Sequence, residues 1–345
     1  MKAGIYLGKE NVQVQELPLP KVGDEDVLVQ NIYSSICGTD VAIYTYGPNT
    51  GHKVTVGGEF GHETISRVVK IGKNVKDFKL GQRVYPYPRY AKNDTSRAGT
   101  LGGFSEYILI PKAKLNHSLY PVDPKISDKL ASLIEPFTVG CRAARRGMIP
   151  NGNNQYVKGQ HAIVFGSGTI GIAAAVAFQF FGMNKVMIVD FSDFRLELAK
   201  NLGFEICNPN KDDFSLKTKQ YFGTAFSLQK ETANIDCWLD AAGAKNILDD
   251  YMKFGKIESR FVSVAVNNEV RNLDLLHLTY AQQSIIGSGG YMPEDVWDVQ
   301  KMMVDSRWNL ESIITHEYAL EDLEKAIRMA SHADCAGNVV IRMME

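Results

Sequence analysis

Cys37-Gly38-Thr39-Asp40 sets a thiol, a hydroxyl and a carboxyl within a few residues, and Gly61-His62-Glu63 sets an imidazole beside a carboxyl. Glu135-Pro136 supplies a further carboxylate, with the proline stiffening the backbone next to it. A soft thiolate, a borderline imidazole and a carboxylate suit four-coordinate zinc, and three protein ligands leave the fourth position for water or substrate. An open position implies catalysis, because the ion acidifies a bound hydroxyl much as it brings water from about 15.7 to about 7. Taken singly these residues are ordinary: a lone Cys packs as a small hydrophobe, a lone His is satisfied in core or surface, and Glu-Pro starts a helix. Their combination, upstream of the next motif, points to a metal centre.

That motif is Gly166-Ser167-Gly168-Thr169-Ile170-Gly171, between an apolar strand and an apolar helix. Gly166 permits a tight turn, Gly168 lets the backbone approach a pyrophosphate, and Gly171 lets helix and strand pack closely, while the helix N-terminus offers free amides to the phosphates. The pattern gains its weight from Asp190, which ends the following strand where an acid accepts hydrogen bonds from adenosine ribose hydroxyls. A 2'-phosphate there would meet like charge, so NAD is expected rather than NADP. Arg195 lies one turn into the next helix, placed either to serve a 2'-phosphate or to flank the adenine.

Positioning these groups requires two kinds of architecture. Up to about Pro111 the pattern is short and strand-like, with Val12–Leu17, Val27–Tyr33, Thr64–Ile71 and Phe104–Ile110 separated by Gly, Pro and Asp turns. From His161 the period changes: Ala162–Phe165, Lys185–Val189, Ile235–Leu239, Phe261–Val266 and Ser284–Ile286 read as strands, and Ile170–Phe181 and Arg195–Leu202 as helices between them. Strand, helix, strand implies a parallel sheet and an α/β fold. Pro293–Ser306 and Leu320–Ser331 read as helices and Val339–Arg342 as a closing strand, with Asn151–Tyr156 the best candidate for a linker.

A chain of 345 residues fits two domains, and a formal charge of −1 disfavours nucleic acid and anionic membrane as partners. Cys37, Cys141, Cys207, Cys237 and Cys335 stand singly, which argues against a disulfide framework and for a reducing compartment. Met1–Gly8 has no leader-like pattern and the apolar run Ile170–Phe181 is too short to span a bilayer, so the cytoplasm is expected.

Cys-Gly-Thr-Asp, Gly-His-Glu, Leu133-Ile134-Glu135-Pro136 followed by Val139-Gly140, and the glycine turn occur in the order found in the medium-chain zinc alcohol dehydrogenases, and the chain resembles that family over nearly its full length. Ile36–Val41, Tyr46-Gly47 and Leu133–Gly147, ending in Arg145-Arg146-Gly147, are most similar to the sorbitol (polyol) dehydrogenase branch. The resemblance implies a GroES-like β catalytic domain over residues 1–142, a Rossmann doubly wound parallel-sheet domain over 143–285, and return of 286–345 to the catalytic domain. It implies Cys37 and His62 as zinc ligands, with Glu63 or Glu135 completing the set. Thr39 would pass the alcohol's proton through the cofactor ribose to solvent. Asp40 and Glu63 would orient ligands, since a metal-bound imidazole needs a partner for its other nitrogen. His52 is either a further relay or a surface residue, and Tyr46, Phe104 and Tyr291 are candidate pocket walls.

The chain departs from the family in three places. Val84–Phe104 has no cysteine, where most members carry four on a second, structural zinc, so one catalytic ion and no structural zinc are expected. Gly289-Gly290-Tyr291 keeps only the Tyr of the branch's late Arg-Tyr pair, and Gly57-Gly58-Glu59-Phe60 stands where the family is more aliphatic. The implied activity is NAD-linked oxidation of a polyhydroxylated secondary alcohol, phosphorylated or not, by a homo-oligomer, dimer or tetramer, joined near Phe261–Val266 and Ser284–Gly287. Two alternatives stand beside it. Cys-Gly-Thr-Asp and Ser192-Asp193-Phe194-Arg195 are also similar to threonine 3-dehydrogenase. A non-catalytic NAD-binding protein of the same fold would have lost the zinc ligands, which are present.

Overall fold

Glycine and proline punctuate the first hundred residues, leaving two nine-residue strands, Val27–Ser35 and Glu63–Ile71, among shorter ones. The computed structural model describes residues 1–48, 50, 54–91, 101–152, 156–267 and 269–343; His52 and residues 153–155 of the expected linker at 151–156 lie outside them. Two compact units emerge, Met1–Glu135 with Asn309–Glu345, and Pro136–Trp308.

The first unit opens with Lys2–Gly8 (β1), Asn11–Glu16 (β2) and Val27–Ser35 (β3), followed by Gly38–Tyr46 (α1), Gly58–Glu59 (β4) and Glu63–Ile71 (β5). Arg83–Pro86 (β6), Tyr107–Ile110 (β7) and Leu119–Pro121 (β8) continue it, then Asp128–Ala131 (α2) and the start of Ile134–Gly147 (α3). β1 lies between β2 and β4 in a small antiparallel sheet. β3 is the spine of the larger sheet, pairing antiparallel with β5 and β7. The expected strand from Phe104 begins only at Tyr107, because Phe104 N donates to Phe60 O at 2.9 Å and draws the preceding residues toward Gly61.

The second unit alternates strand and helix: His161–Phe165 (β9), Thr169–Phe180 (α4), Lys185–Val189 (β10), Asp193–Asn201 (α5), Glu205–Cys207 (β11) and Phe214–Phe222 (α6). After a small hairpin, Thr224–Phe226 (β12) and Glu231–Ala233 (β13), come Cys237–Asp240 (β14), Lys245–Phe254 (α7), Arg260–Ser263 (β15), Leu275–Ala281 (α8), Ser284–Gly287 (β16) and Pro293–Val304 (α9). Six parallel strands lie in the order β11-β10-β9-β14-β15-β16, so the chain runs outward from β9 in both directions. That is a doubly wound sheet with its switch point between β9 and β14, where such sheets bind ligands. The chain then returns to the first unit with Ile314–Ala319 (β17), Leu323–Ala330 (α10) and Asn338–Arg342 (β18), and β18 pairs with β3. Phe261–Val266 is strand only to Ser263, and Leu320–Asp322 is a 3₁₀ turn ahead of α10. Among the described residues no helix is long and apolar enough to cross a membrane.

The junctions at 135/136 and 308/309 differ from the expected 142 and 285 for packing reasons. From Pro136 onward α3 belongs to the sheet unit: a Cβ on Gly140 would lie 2.6 Å from Ala173 Cβ, and one on Gly147 2.5 Å from Cys237 Sγ. Arg145 Nε donates to Asp295 Oδ1 at 2.8 Å and Arg145 Nη2 to Asp298 Oδ2 at 2.6 Å, which fastens α3 to α9. Asp295 is 0% exposed, also accepts from Met292 N at 2.9 Å, and has Arg142 Nη1 3.9 Å from Oδ2, so its buried charge is held by these partners. Asp295→Ala should therefore destabilise the protein by about 3 kcal/mol, the low end for a broken buried pair because the guanidinium keeps Asp298; a change below 1 kcal/mol in urea unfolding contradicts this account.

Candidate functional site

The register of β3 on β5 sets Ser35 opposite Glu63, so Cys37 and His62 leave the sheet at the same end. Cys37 is the N-cap of α1: its N–H donates to Asp40 Oδ2 at 3.0 Å, closing the first helical turn beside the thiol. Ligand atoms of Cys37, His62 and Glu63 all lie within 4.8 Å of one another, the sole such group of potential metal ligands among the described residues. His62 Nδ1 lies 3.6 Å from Asp40 Oδ1, a carboxylate behind the imidazole that fixes the ring's orientation. Thr39 Oγ1 donates to Cys37 Sγ at 3.1 Å. Glu135 falls outside the group, in the first turn of α3, yet its charge acts on Glu63.

His62, Glu63 and Asp40 are buried, and the electrostatics follow from that. Burial pushes the Glu63 carboxyl up to about 8, with the negative charge of Glu135 adding to the rise. Burial likewise raises the Cys37 thiol to about 11, assisted by Glu63. Burial pulls the His62 imidazole down, but Asp40 and Cys37 raise it well above its ordinary value. Glu63 Oε2 is buried with no hydrogen-bond partner. Without a cation these donors hold their protons, and one oxygen is left unsatisfied. A divalent cation would supply the missing positive charge, and thiolate, imidazole and carboxylate are the donor set zinc takes.

In the second unit the glycine turn joins β9 to α4. Gly166 has φ +102°, and a Cβ on Gly171 would sit 1.8 Å from Gly166 O, so the helix begins in backbone contact with the turn. Gly168 is the N-cap of α4, ahead of Thr169 and Ile170. Asp190, just past β10, accepts from Ser167 N at 2.6 Å and from Ser192 N at 2.9 Å, so its carboxylate is locked at the rim of the turn. Ser167 Oγ donates to Arg195 O at 2.8 Å, and the Arg195 guanidinium reaches to 4.0 Å from the Cβ position of Gly168. A cavity of about 250 Å³ opens beside them, lined by Gly166, Asp190, Phe191, Trp238 and Ile247 among others.

Sequence reasoning missed the loop after β14. Asp240 Oδ1 accepts from Ala242 N at 2.9 Å and Gly243 N at 2.7 Å, and that backbone packs 3.1 Å from the Cβ position of Gly166. Asp-Ala-Ala-Gly after an apolar strand is the signal, a capped turn facing the glycine turn. Of the candidate pocket walls, Phe104 is fully buried and its ring covers Gly61, where a Cβ would lie 2.6 Å away, so packing accounts for it. Tyr46 is exposed at the end of α1, and Tyr291 is buried ahead of α9.

These shifts share one sign. A folded carboxyl near 8 against an ordinary 4.5 binds an extra proton between those values, so its stabilising effect is lost as pH rises through that window. The raised His62 acts in the same direction above its ordinary 6.5. The melting temperature of metal-free protein should accordingly fall from pH 5 to pH 8, Glu63→Gln should flatten the slope, and added zinc should raise it most at the alkaline end, where ligands deprotonate readily. A flat profile for the metal-free protein would show that the three groups do not share one buried site.

Residues 23–120 match the alcohol dehydrogenase GroES-like domain and residues 168–305 the zinc-binding dehydrogenase domain. The L-threonine 3-dehydrogenase of Escherichia coli is 26% identical over 353 aligned positions, covering 96% of each chain. The 2R,3R-butanediol dehydrogenase of Bacillus subtilis superposes with a TM-score of 0.83 at 22% identity over 99% of both chains. Galactitol-1-phosphate dehydrogenase of Escherichia coli gives 0.80 at 20% identity, covering 99% of this chain and 100% of the other. At these identities the solved structures establish a common fold. The two domain matches span more than half of the chain and follow its observed architecture, a GroES-like β unit followed by a doubly wound sheet: the chain belongs to the medium-chain zinc-dependent alcohol dehydrogenase family.

Proposed function

We propose that this protein is a zinc-dependent, NAD-linked dehydrogenase that oxidises a secondary hydroxyl of a polyol or sugar alcohol, free or phosphorylated. The observation that carries the reading is the convergence of Cys37 with the buried His62 and Glu63, one of whose carboxylate oxygens is buried without a hydrogen-bond partner. Cys37, His62 and Glu63 would hold the zinc, and Glu135 stands by as the carboxylate that can exchange with Glu63. When bound, the zinc would supply Lewis acidity at the hydroxyl and the nicotinamide a hydride acceptor. Asp40, 3.6 Å from His62 Nδ1, would orient the ring from behind and leave the other nitrogen for the ion. Thr39, whose hydroxyl already contacts Cys37 Sγ, receives the alcohol's proton and passes it toward solvent. Asp190 accepts from the ribose hydroxyls and repels a 2'-phosphate, while the amides at the start of α4 hold the pyrophosphate.

The polyol class draws support from neighbours named for butanediol and galactitol-1-phosphate. A second reading, oxidation of L-threonine, is favoured by the curated relatives at 26% identity. We further assign one ion and no structural zinc. Val84–Phe104 lacks cysteine, and among its described residues Tyr87 packs edge-on to Tyr120 at 5.9 Å and Tyr90 stacks on His117 at 4.2 Å. The enzyme is assigned to the cytoplasm as a homo-oligomer joined at β16, an edge strand of the sheet, beside the exposed Leu275, Leu276 and Tyr280.

The test is an NADH-absorbance screen of sugar alcohols, their phosphates, 2,3-butanediol and L-threonine, with zinc measured in wild type and Cys37→Ser. Turnover of a polyhydroxylated alcohol is expected, with Cys37→Ser losing its zinc and about 10³-fold or more of the rate. Turnover of threonine alone overturns the polyol class, and a zinc-free wild type that still binds NAD overturns the catalytic reading.

A further inference from the structure

His62 sits where two glycine-containing segments touch. Gly61 has φ +87°, and a Cβ on Gly103 would lie 3.0 Å from His62 N. Gly103 N and Gly102 N donate to Gly61 O at 2.8 and 3.1 Å, and Phe104 N donates to Phe60 O at 2.9 Å, so residues 59–62 and 102–105 form one ladder of backbone contacts. The far side of that ladder is tied to β3, the strand that leads to Cys37. Asn31 Nδ2 donates to Ser105 O at 2.7 Å and to Gly103 O at 3.1 Å, and Ser34 Oγ donates to Gly103 O at 2.6 Å. Thus the segment touching His62 is held by the strand that delivers Cys37.

Glu59 closes the ladder. It lies in β4 opposite Ile5, is 3% exposed, and accepts from Ser105 Oγ at 2.8 Å. Burying a carboxylate here is costly, and an aliphatic residue would fill the same strand position without that cost. The acid therefore contributes something an aliphatic side chain cannot, a directional acceptor across to Ser105. Resting on the reading of Cys37, His62 and Glu63 as metal ligands, we infer that Glu59 is a positioning residue for that centre, clasping the strand that presents His62 to the segment Gly102–Ser105 and so setting the separation of His62 from Cys37. This accounts for the acid in Gly57-Gly58-Glu59-Phe60, which composition alone leaves unexplained.

Cobalt substitution tests it without measuring turnover. Protein stripped of metal and loaded with cobalt(II) should show a thiolate-to-cobalt band from Cys37 and visible bands that report the geometry around the ion. Ser105→Ala and Glu59→Ala should shift or weaken those bands and release the ion to a chelator about tenfold faster, in the range for partners behind metal ligands. Glu59→Gln, which keeps an acceptor oxygen for Ser105, should restore both. If the two alanine variants match wild type in spectrum and release rate, the inference fails, even where the metal-free protein melts earlier, since Glu59 then serves stability alone. Should Glu59→Ala not fold, Ser105→Ala, which removes only a hydroxyl, decides by the same readouts. A wild type with no thiolate-to-cobalt band instead overturns the ligand assignment, an outcome distinct from matching spectra.

Discussion

The convergence of Cys37, His62 and Glu63 depends on the register of two antiparallel strands. Ser35 faces Glu63, so the end of β3 and the beginning of β5 coincide, and residues just beyond them are neighbours although they are far apart in sequence. A slip of one position would turn every side chain of β5 to the other face of the sheet. The apolar residues of both strands hold the register: Val27, Val29 and Val68 share a core with Ile108 and Val84. Chemistry at Cys37 and His62 is thus specified by packing some way down the strands, where valines and isoleucines have nothing to do with a metal.

A comparable constraint operates in the second unit, where backbone meets backbone. The 1.8 Å separation between Gly166 O and a hypothetical Cβ on Gly171 leaves no room for any side chain, and this contact starts α4 directly beneath the turn. Asp190 then has a double duty. Its two oxygens already accept from the backbone of Ser167 and Ser192, so the acid expected to select the ribose also holds the two loops that frame the cavity. Replacing it would disturb the shape of the site together with its charge, and loss of NAD affinity in such a variant would not isolate the hydroxyl contacts.

The doubly wound half was the more legible in sequence. Its strands are buried apolar runs, and Lys185–Val189 came out residue for residue because parallel strands show a continuous signal. The first unit hid more. β1 is faint in sequence because Gly4 and Gly8 depress strand propensity; Gly4 is required there, since a Cβ would lie 2.3 Å from Leu323 Cδ2, a contact made only after the C-terminal segment returns. α1 gives little helical signal in sequence, because Gly38 and the β-branched and aromatic residues after it are poor helix formers, and the turn forms through the Cys37 and Asp40 cap. Whether Glu63 or Glu135 joins Cys37 and His62 is a question of distance, which spacing along the chain cannot answer.

The centre is costly as a piece of folded protein. It gathers Glu63, Asp40 and Cys37 around one imidazole, with Glu135 close enough to raise Glu63 further, and buries most of them. Such a cluster persists only because the surrounding frame over-determines it: the cap on Cys37, the Gly61 and Gly103 contact, and the hydrogen bonds from Asn31 and Ser34 that fasten the ladder to β3. Rigidity and electrostatic strain therefore belong to one design. A looser frame would let these groups move apart into water and relieve the burial that raises Glu63 and Cys37, and the convergence of the three side chains would be lost. On the proposed reading, holding them together would make binding of a divalent ion the favourable route by which this cluster loses its protons, and metal loading would then be coupled to the stability of the first unit.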